Sequence, residues 1–133
     1  METKRILIVD DHPTLREGLR SLLSSQDVFD IVGEAGDGLE AVALVDKLRP
    51  DLVLMDISMP RMDGIAATRE IKGKRPETKI LIFSVYMTPE YLKAALEAGA
   101  DGYILKDSPR TKLILSIKNI LAGNQVISLD STE

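Results

Sequence analysis

Unbroken apolar runs recur along the chain: Ile6-Leu7-Ile8-Val9, Ile31-Val32, Leu52-Val53-Leu54-Met55, Ile80-Leu81-Ile82-Phe83 and Tyr103-Ile104-Leu105. Each has strand length, so five short strands are expected. The first, third and fourth are continuously rather than alternately apolar, the pattern of strands covered on both faces as in a parallel sheet. Parallel neighbours need long crossovers, normally helices. The intervals supply them. Leu15, Leu19, Leu22 and Leu23 fall at helical spacing after Pro13, a residue favoured in the first helical turn. Ala41, Leu44, Val45 and Leu48 form a second stripe before Pro50, and a third, weaker one runs from Gly64 through Ile65 to Ile71. Thr88-Pro89-Glu90 caps a fourth helix that stops at Gly99. Ser108-Pro109 opens a fifth, with Leu113, Ile117, Ile120 and Leu121 on its apolar face and Gly123-Asn124 at its end. The order (βα)5 predicts an α/β flavodoxin-like doubly wound sandwich on a five-stranded parallel sheet of order 2-1-3-4-5.

With 133 residues, 44% of them hydrophobic, the chain suits one domain able to bury roughly two thirds of its unfolded surface. Seventeen basic against 21 acidic residues leave a net charge of −4, the wrong sign for an autonomous nucleic-acid binder. Without cysteine there is no disulfide framework, Cys-based zinc site or thiol nucleophile, and His12 is the single histidine. Chemistry must therefore run on carboxylates, hydroxyls and lysine. No apolar run approaches a membrane span, and the first meets Asp10 too early for a signal peptide. A cytoplasmic protein without a membrane partner is expected.

In an open parallel sheet, ligands sit beyond the carboxyl ends of the strands. The residues found there are Asp10-Asp11, Asp56, Ser84 and Lys106, after the first, third, fourth and fifth runs. These strands are neighbours in the expected order, about 4.8 Å apart, so the five side chains can converge. Crowded carboxylates raise one another's pKa unless a cation is present. A hard divalent ion of the Mg²⁺ type, which keeps several waters and takes oxygen ligands, resolves the repulsion. Lys106 adds positive charge and Ser84 a hydroxyl donor, a set able to stabilise a phosphoryl group in transfer. Asp56, central in the strip, is the natural carboxylate nucleophile.

Asp10-Asp11, the run Asp56-Ile57-Ser58-Met59-Pro60 with Gly64 beyond it, Ser84 and Lys106 together resemble the receiver domain of bacterial response regulators, over residues 4 to 123. The resemblance implies that Asp56 accepts a phosphoryl group from a phosphohistidine on a sensor histidine kinase. Asp11, Asp56 and the backbone carbonyl of Ser58 would bind Mg²⁺, with Asp10 acting mainly through a metal-bound water. Ser84 and Lys106 would contact the phosphoryl oxygens, and Tyr103 matches the switch aromatic that turns inward when Ser84 moves. Asp10-Asp11-His12-Pro13, Gly99-Ala100-Asp101-Gly102-Tyr103 and Lys106-Asp107 are similar to the NarL/FixJ (LuxR-type) transcription factors. That branch carries a helix-turn-helix DNA-binding domain after a linker. The expected organisation is a receiver over residues 1–123 and the start of a linker over 124–133. DNA contact would come only through the domain beyond, and homodimerisation would follow phosphorylation. Two departures from the wider family are Asp107 where many receivers have proline, which puts a cis peptide in doubt, and Val85, bulkier than the usual small residue.

Blander readings stand beside these. Asp11 could simply cap the first helix, Lys106 could be a solvated charge, Ser84 a turn residue and Tyr103 a strand aromatic. His12 reads as structural or exposed. Among other functions, a Mg²⁺-dependent aspartyl phosphohydrolase would want a second acid two residues after the nucleophile, where this chain has Ser58. A flavin or nucleotide carrier would want a Gly/Ser/Thr-rich phosphate cradle in the first loop, where Asp10-Asp11 would repel phosphate. A stand-alone receiver acting by protein binding is the remaining alternative.

Overall fold

The computed structural model describes residues 2–127. Its elements are β1 (Lys4–Val9), α1 (Pro13–Ser24), β2 (Phe29–Ala35), α2 (Gly38–Leu48), β3 (Leu52–Met55), α3 (Gly64–Lys74), β4 (Lys79–Ser84), α4 (Pro89–Ala98), β5 (Gly102–Leu105), α5 (Arg110–Leu121) and β6 (Val126–Ile127). All pairings are parallel, in the order β2-β1-β3-β4-β5-β6. The five expected strands and their order are present.

Two details differ from the sequence reading. β2 is seven residues long rather than the two apolar ones, and its register against β1 slips between Ile6 and Leu7, leaving Val32 unpaired in a bulge. The second is the short sixth strand. Val126 and Ile127, expected in a linker, pair with Gly102 and Tyr103 of β5. β5 would otherwise expose a row of unpaired backbone groups, and two residues of main chain satisfy part of it. A two-residue strand has no periodicity to read. The polar stretch from Ser128 to Glu133 lies outside the described residues.

The continuous apolar runs have the expected cause. Leu7, Val9, Val53, Met55, Ile80, Ile82 and Tyr103 point to one face, against Ala41 and Val45 of α2, Ala67 and Ile71 of α3 and Ala95 of α4. Ile6, Ile8, Leu52, Leu54, Leu81, Phe83 and Ile104 point to the other, against Leu19 and Leu23 of α1 and Leu113, Ile117 and Ile120 of α5. Side chains alternate across each strand, so a strand buried on both faces must be apolar at every position. Asp37, Asp63 and Thr88 cap α2, α3 and α4 by accepting the N–H of Glu40, Ala66 and Tyr91. Among the described residues no peptide bond is cis, Lys106–Asp107 included. Nor is any helix among them long and apolar enough to cross a membrane.

Candidate functional site

The sheet ladder continues one step beyond three strands and thereby fixes the backbone of the site. Asp10 N–H donates to the Ala35 carbonyl, Asp56 N–H to that of Val9, and Lys106 N–H to that of Ser84. Asp10, Asp56 and Ser84 are all buried, at 2%, 4% and 3% exposure. Two carboxylates this deep need charge partners. Lys106 supplies one: its Nζ lies 2.7 Å from Asp10 Oδ2 and 3.3 Å from Asp56 Oδ1. Asp56 Oδ1 also accepts the N–H of Ile57. Burial and, second, the Asp10 carboxylate still hold Asp56 above the ordinary carboxylate range, against the pull of Lys106 and the Ile57 N–H.

Asp11 is not a helix cap. The residue preceding α1 is His12, which makes no side-chain capping bond, and the half-exposed Asp11 carboxylate instead joins the acidic group. Its Oδ1 is buried and has no hydrogen-bond partner. One ligand atom from each of Asp10, Asp11, His12 and Asp56 lies within 4.8 Å of all the others. A buried carboxylate oxygen that accepts no hydrogen bond, among hard oxygen ligands of three aspartates, fits a Mg²⁺-type cation.

Sequence reasoning missed two members of this neighbourhood. The His12 imidazole, 69% exposed, brings Nδ1 to 3.1 Å from both Asp10 Oδ1 and Asp11 Oδ1. Arg16 of α1 donates from Nη1 to the Asp10 carbonyl at 2.6 Å and from Nε to Glu34 of β2 at 3.1 Å. The first sat in the motif but has no partner of its own kind in the sequence. The second is an ordinary helix-face arginine until β2 is placed beside it.

Ser84 Oγ accepts the N–H of Tyr86 at 3.3 Å. Tyr103 is fully buried, and its hydroxyl donates to the Tyr86 carbonyl at 2.6 Å. Ser84 and Tyr103 thus grip the same residue of the β4–α4 loop by its two backbone groups. Burial pushes the Tyr103 phenol up to about 12. Val85, between them in sequence, is exposed, and Ser58 is exposed in the β3–α3 loop two residues after Asp56. That loop closes tightly: Gly64 N–H donates to Ile57, and a Cβ on Gly64 would stand 1.8 Å from the Asp56 carbonyl oxygen.

Residues 6–118 match the family described as the response regulator receiver domain. Over 92% of its length the chain is 38% identical to the transcriptional regulatory protein DegU of Brevibacillus brevis, covering 52% of that protein. It is 39% identical over 96% of its length to the nitrate/nitrite response regulator protein NarL of Escherichia coli K12, covering 59% of it. The chain thus spans little more than half the length of these relatives. A LuxR-family two-component response regulator from Aurantimonas superposes with a TM-score of 0.93 at 40% identity, over 98% of this chain and 94% of that one.

Proposed function

Because this chain belongs to the response regulator receiver domains, in their NarL- and LuxR-type branch, we propose that Asp56 is the residue that takes up the phosphoryl group. Receivers are signalling proteins rather than turnover enzymes, and the donor would be a phosphohistidine of a sensor histidine kinase. A carboxylate oxygen of Asp56 bonds to phosphorus, the phosphorus–nitrogen bond breaks, and the departing imidazole takes a proton. The observation that carries this reading is the convergence of Lys106 on Asp10 and Asp56 beside the Asp11 oxygen that accepts no hydrogen bond.

Asp11 and Asp56, with the Ser58 carbonyl, would hold Mg²⁺, and Asp10 would act through water. The ion supplies positive charge to the phosphoryl oxygens. Lys106, already 3.3 Å from Asp56, needs little movement to meet the same oxygens. The Ser84 hydroxyl is the second donor, and in turning to the phosphoryl group it releases the Tyr86 N–H. Tyr103, bonded to the carbonyl of that same Tyr86, transmits the change to the β4–α4 loop. The effect is a population shift between two loop arrangements. Self-catalysed dephosphorylation would return the domain to its first state.

The receiver unit runs through residue 123, and the connection to an output domain begins at 124, with Val126 and Ile127 lying along β5. A DNA-binding domain of the kind implied by the relatives' transcriptional names would supply the output, in the cytoplasm, with dimerisation following phosphorylation. Incubation with a small phosphodonor, with and without Mg²⁺, followed by intact-mass measurement of wild type and Asp56→Asn, tests the chemistry. One added phosphoryl that requires both Mg²⁺ and Asp56 is expected. An adduct that persists in Asp56→Asn overturns the assignment.

A further inference from the structure

The loop between β3 and α3 holds a residue whose backbone and side chain pull in different directions. Arg61 has φ +66°, the left-handed region where glycine is the comfortable residue, yet it carries a long side chain. That side chain reaches across to the start of α2, donating from Nε and Nη2 to Asp37 Oδ2 at 2.9 and 2.7 Å. Asp37 is itself fixed, because its Oδ1 accepts the Glu40 N–H as the cap of α2. Next to this pair, Gly38 donates its N–H to the Met62 carbonyl at 2.8 Å. A Cβ at Gly38 would stand 2.4 Å from that same oxygen, so the helix end and the loop are in backbone contact.

The Arg61 side chain is 61% exposed, where an ion pair adds little stability. Its location in the loop is more telling. The segment leaves β3 at Asp56, passes Ser58, and is pinned at its far end by the Gly64–Ile57 bond. Only its middle is left to be placed, and Arg61 and Met62 are where α2 takes hold.

We propose that the Arg61–Asp37 pair is a positioning device that sets the β3–α3 loop, and with it the Ser58 carbonyl, for the divalent cation. The inference rests on the receiver reading above. Neither residue touches the ion or the phosphoryl group; both act through the loop backbone. A tether of this kind tunes affinity the way outer partners of metal ligands do.

The test is calorimetric titration of Mg²⁺ into the full chain for wild type, Arg61→Gly, Arg61→Lys, Asp37→Asn and the double variant Arg61→Gly with Asp37→Asn, with melting temperatures taken without the ion. Glycine suits the left-handed backbone, so Arg61→Gly should keep its metal-free melting temperature while its Mg²⁺ affinity falls about tenfold. Arg61→Lys should recover part of that loss, and Asp37→Asn should add nothing further in the Arg61→Gly background. Unchanged Mg²⁺ affinity in Arg61→Gly, or a loss in Asp37→Asn that is fully additive with it, overturns the tether. Wild-type protein that binds no Mg²⁺ overturns the receiver reading beneath it.

Discussion

Lys106 Nζ stands 2.7 Å from Asp10 Oδ2, joining residues 96 positions apart at the ends of β5 and β1. β3 and β4 lie between those two strands, so the lysine leans over the centre of the site and reaches Asp56 on the way. The pair is nearly dry: the two side chains are 13% and 2% exposed. Breaking such a pair leaves a buried charge without compensation.

Lys106→Met should therefore cost about 3 kcal/mol of stability in the absence of divalent ions, the scale for removing one partner of a buried pair. Added Mg²⁺ should restore part of it by giving the aspartates a new counter-charge. Urea unfolding with and without Mg²⁺ measures both effects. A variant as stable as wild type without the ion would show that the pair is not what compensates Asp10.

Asp56 makes a prediction of opposite sign. Its folded-state pKa is raised, so the folded protein holds that proton more tightly than the unfolded chain does. The resulting stability is fully present below the ordinary carboxylate pKa of 3.8 and is lost as pH rises through the folded value. Metal-free Asp56→Asn escapes that loss. It should be the more stable protein at neutral pH, with the advantage shrinking as pH falls toward 4. Paired unfolding curves across that range decide it, and a constant difference would sink the idea.

Tyr103 should titrate late. With its phenol pushed up to about 12, stability tied to the protonated hydroxyl is present below pH 10 and is lost as pH rises through 12. The ultraviolet difference titration between wild type and Tyr103→Phe should centre near 12. In the same variant the Tyr86 carbonyl loses its donor, at a cost of about 1 kcal/mol. Amide exchange in the β4–α4 loop should quicken; unchanged exchange at Tyr86 and Met87 would argue against Tyr103 holding that loop.

Gly64→Ala tests the close approach at the other side of the site. A Cβ 1.8 Å from the Asp56 carbonyl oxygen cannot be accommodated by rotating a side chain, because the obstacle is backbone. A loss of about 3 kcal/mol is expected, at the upper end of overpacking effects. Mg²⁺ binding should weaken with it, since the displaced strand end carries Asp56. Thermal melts and calorimetry of the variant would reveal a tolerated alanine if the loop could simply open.

Much of this was legible in one dimension because parallel α/β folds write their architecture locally. A strand covered on both faces is an apolar run, and the residue after the run stands at the ligand edge; that alone put Asp10, Asp56, Ser84 and Lys106 at the site. Thr88 and Gly99 marked α4 for an equally local reason, a side-chain cap at one end and a left-handed turn at φ +104° at the other. What stayed hidden depends on which distant atoms meet. β6 exists because β5 has a free edge, and the bulge at Val32 arises only in the pairing of β1 with β2. His12 and Arg16 join the site, and Arg61 finds Asp37, through distances between elements that no periodicity encodes. The sequence by itself determined the order of elements and the chemical inventory at the strand ends, since both follow from local patterning. Tertiary structure alone decided which charge Lys106 neutralises, which oxygen of Asp11 is left without a hydrogen bond and which backbone Tyr103 holds, because hydrogen bonds and ion pairs form only at contact distance.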